Sequence, residues 1–313
     1  MNTPFGDVPV FDAHAHFFSH RFFQGLIEPI RDRFGNTDDV AYDTMGEFLG
    51  LELPKPDPKE LAARWVQEMD RHGVERTVLI ASALGDEESV AAAVHAHPKR
   101  FTGYFMLDPT KPDAAARARR GLGVLGLRGL ALFPAMHHFS AADERLTPVY
   151  RAAADVGAMV FVHFGLLRVA IRERLGLPSP FDLRYSNPID LHPVAVRFPE
   201  LHFQIPHFGC GFYREILMLG ELCPNVFLDT SSSNAWAKVM PNPLTLRGVF
   251  ERSLQVYGPK RLLFGTDSTA FPRGWRADIF DEQTRVMKDL GLSRDDAAAV
   301  LGGNLSRLLA DVG

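Results

Sequence analysis

Eight short apolar runs recur along this chain of 313 residues, and amphipathic stretches separate them. Most of the runs are continuously apolar, as expected for strands of a parallel sheet that helices cover on both faces. Several of the amphipathic stretches end in Gly or Pro just before the next run, which is typical of a helix C-terminus. The predicted strands cover residues 8–16, 76–82, 100–108, 127–133, 158–164, 201–208, 226–230 and 261–267. Eight strands that alternate with helices predict an α/β fold, the (β/α)8 barrel.

The structural alternative is an open, doubly wound sheet. Such a sheet would be expected to carry a glycine-rich dinucleotide turn after its first strand, and here that position holds histidines. We see no repeat or linker that would divide the chain, so a single domain over residues 1–313 is expected. Segments 17–58 and 165–186, after the first and fifth strands, exceed the usual length of a connection. Both would lie on the barrel face that carries active sites, which makes them candidate lids.

The first predicted strand ends in His14 and His16, which are spaced i, i+2. Side chains at this spacing point to the same face of a strand. His163, His207 and Asp267 end the fifth, sixth and eighth predicted strands. A lone histidine is more often an ordinary hydrogen-bonded residue, but these five share one kind of position. Because imidazole and carboxylate groups bind divalent metals, the sequence predicts a metal site at the mouth of the barrel.

Three further residues near strand ends are candidates for substrate binding. Ser231 follows the seventh strand, where its hydroxyl could bind a substrate oxygen or cap the next helix. Arg273 and Trp275 lie on the loop after Asp267. Arg273 could pair with a substrate carboxylate through two hydrogen bonds, and the alternative is a solvent-exposed loop arginine.

Charge and composition narrow the class of partner. A net charge of -4 does not favour nucleic acid or an anionic membrane, so a small-molecule substrate is expected. Two cysteines are too few for a disulfide framework, and the N-terminus does not resemble a signal peptide. No apolar stretch approaches the roughly 18 residues of a membrane span. We therefore expect a cytoplasmic protein, with a homo-oligomer left open.

The order of His-x-His, His, His and Asp on strands one, five, six and eight resembles the amidohydrolase superfamily, in its amidohydrolase-related branch of decarboxylases, lactonases and hydratases. The segments that carry this likeness are Phe11-Asp12-Ala13-His14-Ala15-His16, Pro206-His207-Phe208-Gly209, Leu263-Phe264-Gly265-Thr266-Asp267 and Gly302-Gly303-Asn304-Leu305-Ser306-Arg307-Leu308-Leu309. The resemblance covers almost the whole chain. It is specific for the fold and the metal site and weak for the substrate.

The resemblance implies that His14, His16, His163 and Asp267 bind the metal and that Asp267 manages a proton. His207 would be a fifth ligand or an acid/base beside the ion. Binuclear members carry a bridging lysine at the end of strand four, and residues 127–134 contain neither Lys nor Glu. One divalent ion is therefore expected, Zn²⁺ first, with Mn²⁺ or Fe²⁺ as alternatives.

The resemblance favours a hydrolase that cleaves an ester, lactone or amide bond of a small, carboxylate-bearing substrate through metal-activated water. The alternatives are a metal-dependent, non-oxidative decarboxylase of an aromatic or enol-type carboxylic acid and a non-catalytic barrel used for ligand binding. Asp12 stands two residues before His14, where resorcylate-type decarboxylases often place an acid. Those enzymes also tend to carry a glutamate after the strand-six His-x-Gly, and here Cys210 stands there.

Overall fold

The computed structural model describes residues 1–310, so the last three residues of the expected domain lie outside the described part. A small antiparallel hairpin opens the chain, and eight parallel strands follow in sequence order around one sheet. The hairpin strands are β1 (Asn2–Thr3) and β2 (Gly6–Asp7). The barrel strands are β3 (Phe11–Phe17), β4 (Arg76–Ala81), β5 (Phe101–Met106), β6 (Gly129–Leu132), β7 (Met159–Val162), β8 (His202–Ile205), β9 (Val226–Asp229) and β10 (Leu262–Leu263). The predicted (β/α)8 barrel is confirmed.

Backbone hydrogen bonds between the first and last barrel strands close the ring. The amide of Ala13 donates to the carbonyl of Phe264 (2.8 Å), and the amide of Asp267 donates to the carbonyl of His14 (2.9 Å). The regular ladder of β10 ends at Leu263, before the predicted strand end, and Asp267 itself has a left-handed φ of 58°. The two strands that carry His14 and Asp267 are thus joined directly at the mouth of the barrel.

Helices surround the barrel and fill the long connections. They are α1 (His20–Ile27), α2 (Asp38–Leu49), α3 (Pro58–His72), α4 (Glu87–Ala96), α5 (Ala114–Arg119), α6 (Pro134–His137), α7 (Thr147–Ala154), α8 (Ala170–Arg174), α9 (His192–Arg197), α10 (Tyr213–Leu222), α11 (Leu246–Tyr257), α12 (Ala277–Asp289), α13 (Arg294–Ala298) and α14 (Asn304–Ala310). Within residues 1–310, none of the helices combines the length and the apolar character that crossing a bilayer requires.

The interior of the barrel is packed with side chains, as in other barrels of this kind. Phe11, Tyr104 and Phe161 belong to this interior cluster, and Leu305 and Leu308 of α14 pack into it. Asn304 starts α14, and its side-chain amide donates to the backbone carbonyls of Pro259 and Leu262 at 2.8 and 2.9 Å. The C-terminal helix therefore covers the end of the barrel opposite to the mouth.

The two long segments predicted as lids lie together beside the mouth. The first contains α1 and α2, and the second contains α8. They share an apolar cluster separate from the barrel core. Its buried members are Phe18, Phe22, Phe23, Leu26, Ile27, Ala41, Met45, Leu49, Leu175 and Ala270. Most of the aromatic side chains of residues 17–58 therefore pack against other apolar side chains of the protein.

Two arginines fasten these segments to each other. Arg174, at the end of α8, donates to the carbonyls of Leu49 (2.8 Å) and Phe48 (3.0 Å), which are the last carbonyls of α2. Arg33 donates to the carbonyl of Leu175 at 2.6 Å, just after α8. Each segment thus supplies a cation to the C-terminal end of a helix in the other, where the helix dipole is negative.

Candidate metal centre

Three of the predicted ligands form one tight group at the mouth of the barrel. The candidate ligand atoms of His14, His16 and Asp267 all lie within 4.8 Å of one another. The Nε2 atoms of the two histidines are 3.3 Å apart, and the Asp267 carboxylate lies 3.2 Å from His16 Nε2 and 3.6 Å from His14 Nε2. The two histidines converge because they leave one strand on the same face. Asp267 joins them because its strand closes the barrel against theirs.

Polar partners fix the orientation of both imidazoles. The Ser82 hydroxyl donates its only proton to the carbonyl of Ile80 (2.9 Å), so it must accept at its 2.7 Å contact with His16 Nδ1. His14 Nδ1 lies 2.8 Å from Asp229, whose carboxylate is an acceptor when ionised. Both Nδ1 atoms therefore carry hydrogen when the rings are neutral. The lone pairs of both Nε2 atoms are left facing the same small space.

This donor set fits a divalent cation. Two imidazole lone pairs and a carboxylate that face one another repel unless a cation lies between them, and Zn²⁺, Mn²⁺ and Fe²⁺ accept such ligands. His163 supports the same interpretation, because its ring is buried and its Nδ1 has no hydrogen-bond partner within residues 1–310. Its ring packs on Phe133 at 5.8 Å and against His207 at 5.1 Å. His163 lies beside the tight group rather than inside it.

His207 lies against the same group, and its Nδ1 contacts Ser231. The ring stacks on that of His14 at 5.1 Å, and Nδ1 contacts the Ser231 hydroxyl at 2.9 Å and the Ser231 carbonyl at 3.3 Å. Burial lowers the pKa of His207 below that of a free histidine. Burial, followed by the neighbouring His207, lowers the pKa of His163 well below its usual value. Both rings are therefore neutral near pH 7.

Asp267 is the acidic member of the group formed with His14 and His16, and its side chain reaches solvent. Its side chain is 27% exposed, whereas that of His14 is fully buried. Burial alone would raise the pKa of Asp267, but the neighbouring histidines, His16 first, outweigh burial and lower the pKa of this carboxyl below its usual value. Gly265, two residues earlier, has no room for a side chain, since an added Cβ would lie 2.7 Å from the Asp229 carboxylate.

Asp12 does not belong to the metal group. Its carboxylate is fully buried and accepts hydrogen bonds from the amides of His14 (2.9 Å) and Thr266 (3.1 Å) and from the indole of Trp275 (2.7 Å). Burial raises the pKa of Asp12 to about 6, against the lowering effect of its hydrogen bonds. These contacts tie the first strand to the last strand and to the loop that follows it.

The three expected substrate-binding residues occupy different places. Arg273 is exposed on the rim, and its guanidinium donates to Thr269 at 2.7 Å. Trp275 is 3% exposed, with its indole bound to Asp12, and Ser231 is fully buried between His14 and His207. Arg273 is therefore free to meet a substrate. The contacts of Trp275 and Ser231 in this structure are with the protein itself, and their roles in substrate binding stay predictions.

Three supporting residues were missed by sequence reasoning. Asp229 ends the seventh strand, which is the same signal that identified Asp267, and it orients His14. Gln204 donates to Asp229 at 2.9 Å and to the carbonyl of Ala13 at 3.1 Å. Ser82, one residue past β4, orients His16. Polar residues at the ends of barrel strands could have pointed to Asp229 and Ser82, whereas Gln204 lies inside a strand.

The barrel is similar to solved structures over nearly its full length. An uncharacterized TIM-barrel protein from Bordetella bronchiseptica matches with a TM-score of 0.66 at 23% identity, covering 98% of this chain and 100% of that one. A 5-carboxyvanillate decarboxylase from Novosphingobium aromaticivorans, complexed with manganese and 4-hydroxy-3-methoxy-5-nitrobenzoic acid, matches with a TM-score of 0.66 at 17% identity, covering 97% and 96%. A Pseudomonas putida protein named as a 2-pyrone-4,6-dicarboxylic acid hydrolase matches with a TM-score of 0.59 at 20% identity, covering 97% and 98%.

At these identities the structural matches establish the fold alone. The sequence itself carries the family assignment, because the family model described as amidohydrolase matches residues 11–310. That range includes all five residues that the sequence predicted for the metal site. The chain belongs to the amidohydrolase family.

Proposed function

We propose that this protein is a metal-dependent hydrolase that cleaves an ester, lactone or amide bond of a small substrate bearing a carboxylate. The observation that carries the proposal is the ionised, partly exposed Asp267 carboxylate beside the facing Nε2 atoms of His14 and His16. Hydrolysis needs a group that accepts a proton from water at the reacting carbonyl. Asp267 is the acid of the metal group that solvent reaches.

One divalent ion would be held by His14, His16 and Asp267, with His163 as the additional imidazole. When bound, such an ion supplies Lewis acidity, which polarises a carbonyl oxygen and makes water more acidic. Zn²⁺ suits three imidazoles and one carboxylate, and Mn²⁺ is the ion bound by the structurally similar 5-carboxyvanillate decarboxylase. Residues 127–134, which include the fourth barrel strand, β6, contain no lysine or glutamate that could bridge a second ion. This favours a single ion.

The protein's own residues divide the remaining work. Asp267 would accept the proton that water loses as it attacks the carbonyl carbon, and would return it to the leaving oxygen or nitrogen as the ester, lactone or amide bond breaks. His207 is neutral and lies beside the group, so it can hydrogen-bond the carbonyl oxygen as negative charge develops there. Arg273, whose guanidinium is exposed on the rim, would hold the substrate carboxylate through charged hydrogen bonds.

Decarboxylation of an aromatic or enol-type carboxylic acid is the second candidate. The observation that favours it is aromatic packing against the metal group, since Phe18 lies 5.3 Å from the His16 ring and Phe133 lies 5.8 Å from that of His163. Against it, decarboxylation of an arene requires a proton donor to carbon, whereas Asp267 is held ionised. The acid at Asp12 is also buried away from the group. A barrel that only binds a ligand would not require His14, His16 and Asp267 to face one another.

The test is a screen of the metal-loaded protein against lactones, esters, amides and hydroxybenzoates. Hydrolysis in ¹⁸O-water should place the label in the product carboxylate without release of carbon dioxide. Release of carbon dioxide, with no ¹⁸O in the organic product, would reject hydrolysis and support the decarboxylase. Failure of every substrate class with a fully loaded, folded protein would favour the ligand-binding barrel.

A further inference from the structure

The Ser231 hydroxyl has to satisfy two imidazoles with one proton. Its Oγ lies 3.0 Å from His14 Nδ1 and 2.9 Å from His207 Nδ1, and the residue is fully buried. A hydroxyl donates one hydrogen bond and accepts up to two. Since a buried donor without a partner is costly, the direction of each hydrogen bond can be worked out from the surrounding groups.

The Asp229 carboxylate fixes the first hydrogen. It accepts from the Gln204 amide at 2.9 Å and from the backbone amide of Ser231 at 2.8 Å, and it lies 2.8 Å from His14 Nδ1. An ionised carboxylate has no hydrogen to give, so His14 Nδ1 must carry one. The Nδ1 atom of His14 therefore cannot accept a hydrogen from Ser231.

The remaining acceptor for the hydroxyl is His207 Nδ1. We propose that Ser231 donates to His207 Nδ1 and thereby fixes His207 as the tautomer with its hydrogen on Nε2. In the opposite arrangement, His207 Nδ1 would donate to the Ser231 carbonyl at the longer distance of 3.3 Å. The Ser231 hydroxyl, which lies between two protonated nitrogens, would then have no acceptor among its side-chain contacts.

This tautomer decides what His207 can do. An imidazole with hydrogen on Nε2 and a hydrogen bond at Nδ1 has no free lone pair for a metal, so His207 is a donor beside the ligands. Its N–H would stabilise negative charge on the substrate carbonyl oxygen, and this consequence rests on the proposed hydrolase function. Ser231 would then be a positioning residue that acts through His207, in place of the direct substrate contact expected from the sequence.

The direct test is ¹⁵N NMR of histidine-labelled protein at pH 8, loaded with Zn²⁺, because the two nitrogens of each tautomer have distinct shifts. The His207 signals are assigned by their absence in His207→Gln. We expect hydrogen on Nε2 in the parent protein and a shift toward hydrogen on Nδ1 in Ser231→Ala. A parent His207 with hydrogen on Nδ1, or a His207 tautomer that is unchanged in Ser231→Ala, would overturn the proposal.

Kinetics and metal content separate this role from general damage to the site. On a hydrolysed substrate, Ser231→Ala should lower kcat about 10²-fold, as for loss of one oxyanion donor, with little change in KM or bound Zn²⁺. Ser231→Thr keeps the hydroxyl and should restore most of kcat. The matched control is Ser82→Ala, which removes the hydroxyl behind His16 and should weaken Zn²⁺ binding while leaving the His207 tautomer unchanged.

The spectrum does not depend on the substrate, so the two proposals fail separately. Hydrogen on Nε2 in a protein that hydrolyses nothing would reject the hydrolase alone. Hydrolysis by a protein whose His207 carries hydrogen on Nδ1 would reject the role of Ser231 alone.

Discussion

Replacing Asp229 by asparagine should weaken metal binding without unfolding the protein. The carboxylate accepts three hydrogen bonds, with His14 Nδ1 and the Gln204 amide on Oδ2 and the Ser231 amide on Oδ1. An asparagine side chain presents an acceptor on one side and a donor on the other. Whichever way the amide is turned, its NH₂ group faces at least one N–H, because all three partners of Asp229 are donors.

The magnitude follows from what the carboxylate does for His14. It holds the hydrogen on Nδ1 and leaves the Nε2 lone pair facing His16 Nε2 at 3.3 Å. Loss of such a supporting hydrogen bond typically lowers metal affinity by about 10- to 100-fold. That factor corresponds to about 1.4–2.7 kcal/mol of binding free energy.

The assay is competition for Zn²⁺ between the protein and a chromophoric chelator, with thermal unfolding of the metal-free protein measured in parallel. Asp143→Asn is the matched control, because the side chain of Asp143 is hydrogen-bonded locally to Arg145. The control should bind Zn²⁺ as the parent does. If a folded Asp229→Asn protein also holds Zn²⁺ as tightly as the parent, the supporting role assigned to Asp229 is refuted.

Three further predictions concern Asp267, Arg273 and the candidate lid segments. Asp267→Asn should keep part of the metal and lose turnover, because an amide cannot accept a proton from water; full turnover with metal bound would remove Asp267 from proton transfer. Arg273→Gln should lower kcat/KM about 10- to 100-fold through KM on a carboxylate substrate, the cost of one charged hydrogen bond, and far less on its neutral ester analogue. Arg174→Met should increase deuterium exchange in α2 and lower the free energy of unfolding by at most about 3 kcal/mol, since two hydrogen bonds to helix carbonyls are lost. Unchanged exchange would show that the apolar cluster alone holds the two candidate lid segments together.

The barrel could be predicted because its signal is local and repeated. Short apolar runs, most of them continuous, marked all eight strands, and only their ends moved, as at β10, where the chain leaves the ladder after Leu263. The two-residue spacing of His14 and His16 fixed their common face. The strand-end position of Asp267 then placed its carboxylate beside them, because parallel strands end at the same side of a barrel.

The surroundings of the ligands could not be predicted in the same way, because they depend on which side chains meet across the barrel. Ser231 and Trp275 look like loop residues in the sequence, yet each is buried against a partner more than 200 residues away, His14 at 217 and Asp12 at 263. The contact between Arg174 and the end of α2 likewise spans 125 residues. Local patterns carry no information about pairs at this separation.

We expect this chain to hold a single divalent metal ion on residues at the ends of β3, β7 and β10. Elemental analysis of protein purified without chelator tests it most directly. The geometry predicts close to one divalent ion per chain. His14→Ala should lose this ion, because it lacks one of the two imidazoles that face each other. Two tightly held ions per chain, or none even after reconstitution, would show that these residues do not form a mononuclear site.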